Sequence, residues 1–306
     1  MQWLSRLERI IDSHLLRDVP LAGKTSLGIG GPARVFLSAR NMADLKKVSE
    51  FANAEDVPLW VIGGGTNLLV HDEGLDGIVV SSIGLHKLKW EIQKEEVRII
   101  AESGVHLSKI LQLSMQSAWS GLEFASGIPG TIGGALAGNA GADGKGLCDV
   151  LEWVETIEPG GNSRTWLKKE ISFSYRKCSL SLDRRIITRC CLNLRTANAE
   201  QVRSAIKSFQ KKRSMQPRST KTAGCVFKNP DGRISAGRLL DLAGCKGLRL
   251  GGVKVSEIHA NFLEVEKDAS ARDVYAVIEE CRRRVYESSG VWLELEIRLL
   301  GGPWGK

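Results

Sequence analysis

Gly127-Ile128-Pro129-Gly130-Thr131-Ile132-Gly133-Gly134-Ala135-Leu136-Ala137-Gly138-Asn139-Ala140-Gly141 is the stretch on which the reading of this chain turns. Nearly every side chain in it is small, so a bulky, flat body is expected to lie against this backbone. A second cluster, Gly63-Gly64-Gly65-Thr66-Asn67-Leu68-Leu69, follows directly on the strand-like Leu59-Trp60-Val61-Ile62. Three consecutive residues without Cβ let the main chain approach a ligand and present several N–H groups together, the geometry of an anion-binding nest. Thr66 and Asn67 would add side-chain donors. A tight turn between strands uses the same glycines, and the triplet alone does not separate the two readings.

Neither cluster follows the better-known nucleotide motifs. G-x-G-x-x-G does not occur within a strand–loop–helix unit, and Gly144-Lys145 is followed by Gly146 where a P-loop needs Ser or Thr. A Rossmann domain and a P-loop ATPase are both poor fits. Two glycine loops separated by strands instead suggest a dinucleotide held by other means, with FAD the natural candidate. No Gly-Gly-His sequence is present and His71 lies beyond the first loop, so a non-covalent flavin is expected.

Around these loops, helical and strand periodicities alternate, which indicates an α/β or α+β chain. Helices are expected at Ala43 to Ala54, Leu107 to Ser117, Ala199 to Lys212, Ser235 to Leu242 and Ala271 to Glu287. The last is the clearest, with Ser270 as N-cap and Gly290 just beyond its end. Strands are expected at Leu59 to Ile62, Gly77 to Val80, Val97 to Ile100, Ile186 to Leu194 and Val291 to Leu300. In the last of these, Glu294 and Glu296 would share a face.

At 306 residues the chain is long enough for two or three domains. No run approaches 18 consecutive apolar residues, and charge interrupts the N-terminal apolar run; neither a membrane span nor a secretory signal is expected. Seven cysteines are scattered, with no C-x-x-C spacing, which argues against a zinc site or a disulfide framework. Six of them read as small buried hydrophobes. A net charge of +8 favours anionic partners. The basic run Lys211-Lys212-Arg213 lacks interleaved aromatics and reads as a solvated helix end, not a nucleic-acid surface.

Further segments add specificity: Thr25-Ser26-Leu27-Gly28-Ile29-Gly30-Gly31-Pro32-Ala33, Phe173-Ser174-Tyr175-Arg176, Ala223-Gly224-Cys225-Val226-Phe227-Lys228-Asn229-Pro230, His259-Ala260-Asn261-Phe262-Leu263 and Leu293-Glu294-Leu295-Glu296-Ile297-Arg298. Together with the glycine loops, and in this order over nearly the whole chain, they resemble the UDP-N-acetylenolpyruvoylglucosamine reductase family of peptidoglycan synthesis. The resemblance implies an α+β protein: a two-subdomain FAD-binding fold of the vanillyl-alcohol oxidase (PCMH) type plus a C-terminal α+β substrate-binding domain. The expected borders are 1–80 with the C-terminal strand 291–306, then 81–197, then 198–290. The short connection from Arg176 to Ile186 resembles the subclass without a tyrosine-bearing insertion.

The same resemblance implies a ping-pong reaction in which NADPH delivers hydride to the flavin, hydride then reaches the enolpyruvyl C3, and an acid protonates C2. Arg176 would stabilise the enolate-like charge. Glu296 would orient Arg176 or the substrate, or polarise its carboxylate. Cys225 stands where many members carry serine as the proton donor, and a thiol of ordinary pKa, about 8.5, gives up a proton more readily than an alcohol does. Without the motifs, Arg176 reads as a surface salt-bridge residue, Glu296 as a strand residue paired with Arg298, and Cys225 as a packing thiol. The flavin is assigned Gly63, Gly64, Gly65, Thr66, Asn67, Leu68, Ser82, Gly127, Pro129, Gly130, Thr131, Gly133, Gly134, Asn139 and Gly141. The UDP-sugar is assigned Tyr175, Arg213, Gln216 with Pro217, Lys228, Asn229 and His259. No metal is implied, and the expected form is a cytoplasmic monomer without nucleic-acid or membrane partners. Two competing readings are a carbohydrate or alcohol oxidase of the same fold and a basic nucleic-acid-binding protein.

Overall fold

The computed structural model describes residues 2–11, 15–181, 184–217, 221–230 and 234–304. Met1 and residues 182 and 183, within the Arg176–Ile186 connection, lie outside them. The chain forms two compact units: Met1–Arg17, Val35–Gly64 and Gly77–Arg213 make the first; Asp18–Arg34, Gly65–Asp76 and Ser214–Lys306 make the second.

Alternation of side chains builds the large antiparallel sheet of the first unit. Strand Glu96–Glu102 buries Val97, Ile99 and Ala101 and turns its other positions outward. It pairs with Ile186–Thr196 on one edge and Leu88–Gln93 on the other. Leu151–Ile157 and Ser163–Leu167 extend the sheet beyond Ile186–Thr196. Helix Leu107–Gln116 packs Leu107, Ile110 and Leu111 into the same apolar core, which also holds Ile132 and Leu136 from the long glycine segment.

A second core in this unit gathers Leu45, Val48, Phe51 and Ala52 of helix Met42–Ala54 with Val35, Leu37, Ile78 and Val80. Asn41 caps the helix by accepting the Asp44 N–H at 2.9 Å. Strand Leu59–Ile62 runs parallel to Leu75–Ser81, with Ile62 opposite Ser81. Both strands therefore end at the same edge, where Gly63 and Ser82 begin their loops.

The second unit is built on helix Ala271–Ser289, which buries Ala271, Val274, Val277, Ile278, Cys281 and Val285. Its start is a reciprocal capping box, with the Asp273 N–H donating to Ser270 Oγ and the Ser270 N–H to Asp273 Oδ2. Gly290 closes it in the left-handed conformation, φ +70°. Asp72 adds two acceptors at the same N-terminus, for the N–H groups of Ala271 and Arg272. A three-stranded antiparallel sheet, Arg249–Leu250, Val253–Val255 and Leu263–Val265, packs into this core.

Two expectations need correction. The strand expected over Val291 to Leu300 is regular only at Arg298–Leu300, which pairs in parallel with Leu68–Val70. Ahead of it, Leu295 forms a single antiparallel bridge with Phe227, and residues 296–297 bend. The segment changes partner midway, and no single ladder continues through the change. Among the cysteines, Cys178, Cys190, Cys191, Cys245 and Cys281 are buried as expected, but Cys148 is half-buried, like Cys225.

Candidate functional site

In the first unit the two glycine clusters meet. A Cβ on Gly63 would lie 2.3 Å from Thr131 Oγ1, so only glycine allows the two loops to touch there. Thr131 caps the short helix Ile132–Ala137, and its Oγ1 accepts the Gly134 N–H at 3.4 Å. The loop is stitched to the sheet by Leu107 N–H donating to Gly130 O (3.0 Å), Ile132 N–H to Val105 O (2.8 Å) and Gly133 N–H to Ser103 O (2.9 Å). Ser82 N–H donates to Ile62 O at 2.9 Å, holding the ends of the two parallel strands together.

The glycines of that helix do two different jobs. A Cβ on Gly133 would sit 2.6 Å from the Ser103 Cβ, so Gly133 is needed for packing within the protein. At Gly134 the nearest atom is 3.6 Å away and at Gly138 it is 3.8 Å away, leaving their outer side open. The small residues of this stretch therefore serve two purposes, close packing within the protein at Gly133 and open space at Gly134 and Gly138.

Tyr175 and Arg176 form the two-residue turn of the hairpin Phe173–Ser174 and Lys177–Cys178. Arg176 adopts φ +57° and donates from Nη1 to Gly141 O at 3.0 Å. Asn139 Nδ2 donates to Ser174 O at 3.2 Å, while its Oδ1 accepts the Cys148 N–H. The expected catalytic arginine is thus anchored on the end of the long glycine segment, and Tyr175 remains half-exposed beside it. Arg213 reaches back over Gly127, whose Cβ would come within 2.6 Å of the arginine Cδ. A residue expected to serve the nucleotide sugar therefore adjoins one expected to serve the flavin.

In the second unit Cys225 follows Gly224, which has φ +77° and open space around it. The next three residues pair with the Glu294–Glu296 segment. Glu296 N–H donates to Val226 O at 2.8 Å, and Lys228 N–H to Glu294 O at 2.9 Å. This brings the Cys225 and Glu296 segments side by side across more than sixty residues of sequence. From the other side, Asn67 Nδ2 donates to Glu296 O at 2.9 Å, and Arg298 N–H to Asn67 O. Gly65 accepts the Ser26 N–H through its carbonyl, and a Cβ on it would strike Lys24 O at 1.9 Å.

Several expected ligand contacts already have protein partners. Lys228 Nζ pairs with Glu294 at 3.1 Å, and Asn229 Oδ1 accepts the Ala236 N–H at 3.0 Å. His259 stacks edge-on against Phe262, and its Nδ1 accepts the Asn261 N–H at 3.2 Å. Burial lowers its pKa, with the Lys246 charge acting in the same direction. Gln216 and Pro217 are half-buried beyond helix Ala199–Ser214. Three residues not singled out from sequence join these groups. Ser103 and Ser126 are buried, and their hydroxyls have no hydrogen-bond partner among the described residues. Asn261, also buried, ties its carboxamide to Phe227. Ser126, directly before Gly127, and Asn261, within the His259–Leu263 motif, carried a positional signal; Ser103 carried none.

Residues 33–165 match the FAD binding domain family, and residues 216–300 match the UDP-N-acetylenolpyruvoylglucosamine reductase, C-terminal domain family. The chain is 36% identical over 298 residues to the UDP-N-acetylenolpyruvoylglucosamine reductase of Syntrophus aciditrophicus (strain SB), covering 97% of this chain and 95% of that one. Its identity to the same reductase of Moorella thermoacetica is 37% over 290 residues, 94% of each. The crystal structure of the reductase from Thermus caldophilus superimposes with a TM-score of 0.80 at 33% identity, covering 95% of this chain and 100% of that one. A glucose dehydrogenase, Phl p 4.0202, shares the fold alone, with a TM-score of 0.50 at 14% identity over 65% of this chain and 45% of that one.

The residues present suit the flavin that the FAD binding domain implies. Gly134 and Gly138 leave an open, side-chain-free surface, and the unpartnered hydroxyls of Ser103 and Ser126 sit in the same loop region. Buried hydroxyls without partners are costly unless a ligand or water satisfies them. With its flavin-binding fold, its C-terminal domain and near-full-length identity to these relatives, the chain belongs to the UDP-N-acetylenolpyruvoylglucosamine reductase family.

Proposed function

We propose that this protein reduces UDP-N-acetylenolpyruvoylglucosamine to UDP-N-acetylmuramate with NADPH and non-covalent FAD, a step in making peptidoglycan precursors. The observation that carries the reading is the pairing of the Cys225 segment with the Glu296 segment, in a chain matching these reductases over 97% of its length. When bound, FAD supplies two-electron chemistry, taking hydride from NADPH and giving it to the enolpyruvyl C3. The open faces of Gly134 and Gly138, with Ser82, Ser103, Ser126 and Thr131, hold that cofactor.

The chain's own groups manage charge and the proton. Hydride arriving at C3 leaves negative charge on C2 and the adjoining carboxylate. The Arg176 guanidinium, held in place by Gly141 O, stabilises that charge. The Cys225 thiol donates its proton to C2. Glu296 orients the arginine or the substrate carboxylate. Arg213, Gln216, Tyr175, Lys228, Asn229 and His259 bind the nucleotide sugar, and for Lys228 and Asn229 this involves exchange of their present partners.

Residues 1–80 with 291–306, and residues 81–197, form the two flavin subdomains, and residues 198–290 the substrate domain. Three separate apolar cores support a three-part division, although Leu27, Ile29, Leu69, Leu293 and Ile297 join the third core, Val202 and Ile206 the first, and Ile157 and Ile186 the second. The protein works as a cytoplasmic monomer of the subclass lacking the tyrosine insertion, without nucleic-acid or membrane partners. Among the described residues, no helix is long and apolar enough to cross a membrane.

The test is spectroscopic. Purified protein should show the visible absorption of oxidised flavin, bleached anaerobically by NADPH and restored by the enolpyruvyl substrate. A colourless protein that cannot be reconstituted with FAD would refute the proposal. So would a flavoprotein that only oxygen reoxidises.

A further inference from the structure

We propose that Asn261 is a positioning residue whose carboxamide stands in for a missing β-strand and fixes Cys225 against the Glu296 segment. The roles of Cys225 and Glu296 rest on the function proposed above; the clamp itself rests on geometry alone.

In an antiparallel pairing, alternate residues turn their N–H and C=O groups to opposite sides. Val226 turns its C=O, and Lys228 its N–H, to the Glu294–Glu296 side. Phe227, between them, must satisfy both of its groups on the other side, and it is buried. Among the described residues, no strand lies there. Instead Asn261 Oδ1 accepts the Phe227 N–H at 2.9 Å, and Asn261 Nδ2 donates to Phe227 O at 2.8 Å. The Asn261 main-chain carbonyl accepts the Val226 N–H at 3.0 Å.

A side-chain amide has the donor and acceptor of a peptide group, so one residue does the work of a paired strand. It has to, because the chain turns away at this point: Phe262 N–H donates to His259 O and Asn261 N–H to His259 Nδ1. Asn67 plays the matching part on the far side of Glu296. The order across this small sheet is Asn261, Val226–Lys228, Glu294–Glu296, Asn67. Cys225 is the first residue beyond the clamped stretch, and the open φ +77° position of Gly224 precedes it. Its placement therefore depends on the clamp. Displacements of about 1 Å at a reacting group can cost on the order of 100-fold in rate.

The test uses flavin-loaded protein carrying Asn261→Asp, which loses the donor to Phe227 O, or Asn261→Gln, which keeps the amide on a longer stem. Anaerobic stopped-flow measurements separate flavin reduction by NADPH from reoxidation by the enolpyruvyl substrate. For Asn261→Asp, reduction should stay near the wild-type rate and substrate affinity should hold, while saturated reoxidation falls roughly 10- to 100-fold. Asn261→Gln should recover part of the loss. Combined with Cys225→Ala, Asn261→Asp should add little further slowing, because both act through one proton donor.

Unchanged reoxidation in both Asn261 variants, or full multiplication with Cys225→Ala, would overturn the proposal. So would loss of cooperative unfolding in both, which would make Asn261 a residue of the fold and not of the site. A silent Cys225→Ala beside a slowed Asn261→Asp would overturn the proposal as well, because the clamp would then act through a group other than the thiol. If the substrate fails to reoxidise even the unaltered enzyme, the reaction assignment falls. The clamp is then judged by iodoacetamide alkylation of Cys225, which should change about fivefold or more in Asn261→Asp; an unchanged rate would refute it.

Discussion

Gly133 and Gly134 are neighbours on one short helix, and alanine at each should have opposite consequences. At Gly133 the new methyl would lie 2.6 Å from Ser103 Cβ, 3.0 Å from Ser103 O and 3.2 Å from its Cα. Two of those three atoms belong to the main chain of the segment to which Gly133 itself donates a hydrogen bond. They cannot swing aside as a flexible side chain would, so Gly133→Ala should destabilise the flavin-free protein by about 1–3 kcal/mol, the usual cost of overpacking. At Gly134 the nearest atom is Thr131 Oγ1 at 3.6 Å, an ordinary contact, and the methyl would enter open space. Alanine is the better helix former, so Gly134→Ala should leave the flavin-free fold unharmed or strengthen it by about 0.5 kcal/mol. That methyl would occupy the surface assigned to the flavin, and FAD affinity should fall about tenfold or more, some 1.4 kcal/mol. Urea unfolding of flavin-free protein and fluorescence titration with FAD measure the two quantities separately. If Gly134→Ala binds FAD as tightly as the unaltered chain, the cradle is misplaced. If Gly133→Ala unfolds no earlier, the packing argument is wrong.

Cys225→Ala should slow the substrate half-reaction by roughly 10²–10⁴-fold, typical of a lost general acid, while Cys225→Ser keeps much of it; equal single-turnover rates for Cys225→Ala and the unaltered enzyme would exclude the thiol. Brief iodoacetamide treatment of the native protein followed by peptide mass mapping should label the half-buried Cys148 and Cys225 ahead of the five buried thiols. Cys191 in particular, pushed up to about 12 by burial and by Glu152, should resist even at pH 9. His259 titrates below its ordinary value, so its neutral form is favoured in the folded protein. Its contribution to stability is present above about pH 6.5 and is lost as pH falls through the lower folded value, when Nδ1 can no longer accept the Asn261 N–H. The urea midpoint should therefore drop between pH 7 and pH 5 by less in His259→Gln than in the unaltered chain; equal drops would dismiss this histidine as a source.

Helix Ala271–Ser289 was legible from sequence because its determinants are local: apolar residues three and four apart, Ser270 before it and Gly290 after it. The parallel strands ending at Gly63 and Ser82 were equally plain, each an apolar run stopped by a turn. The segment after Val291 misled for the opposite reason. Its alternating pattern promised one strand, but which main-chain groups stand opposite each residue depends on elements distant in sequence. Lys228 and Asn229 show the same limit: their residue types suit a ligand, and only the structure shows that Glu294 and the Ala236 helix start also engage them.

The sequence by itself determined the family and the flavin, because ordered short motifs run through nearly the whole chain; for the chemistry it offered Arg176, Cys225 and Glu296 as candidates. Only the tertiary structure decided which glycines face the protein and which face open space. It also decided that Asn261 and Asn67 flank the segments bearing Cys225 and Glu296. The physical reason is that a glycine's role depends on what lies where its Cβ would be, and an asparagine's on which peptide groups lack partners. Both are properties of the space between segments, which no spacing along the chain records.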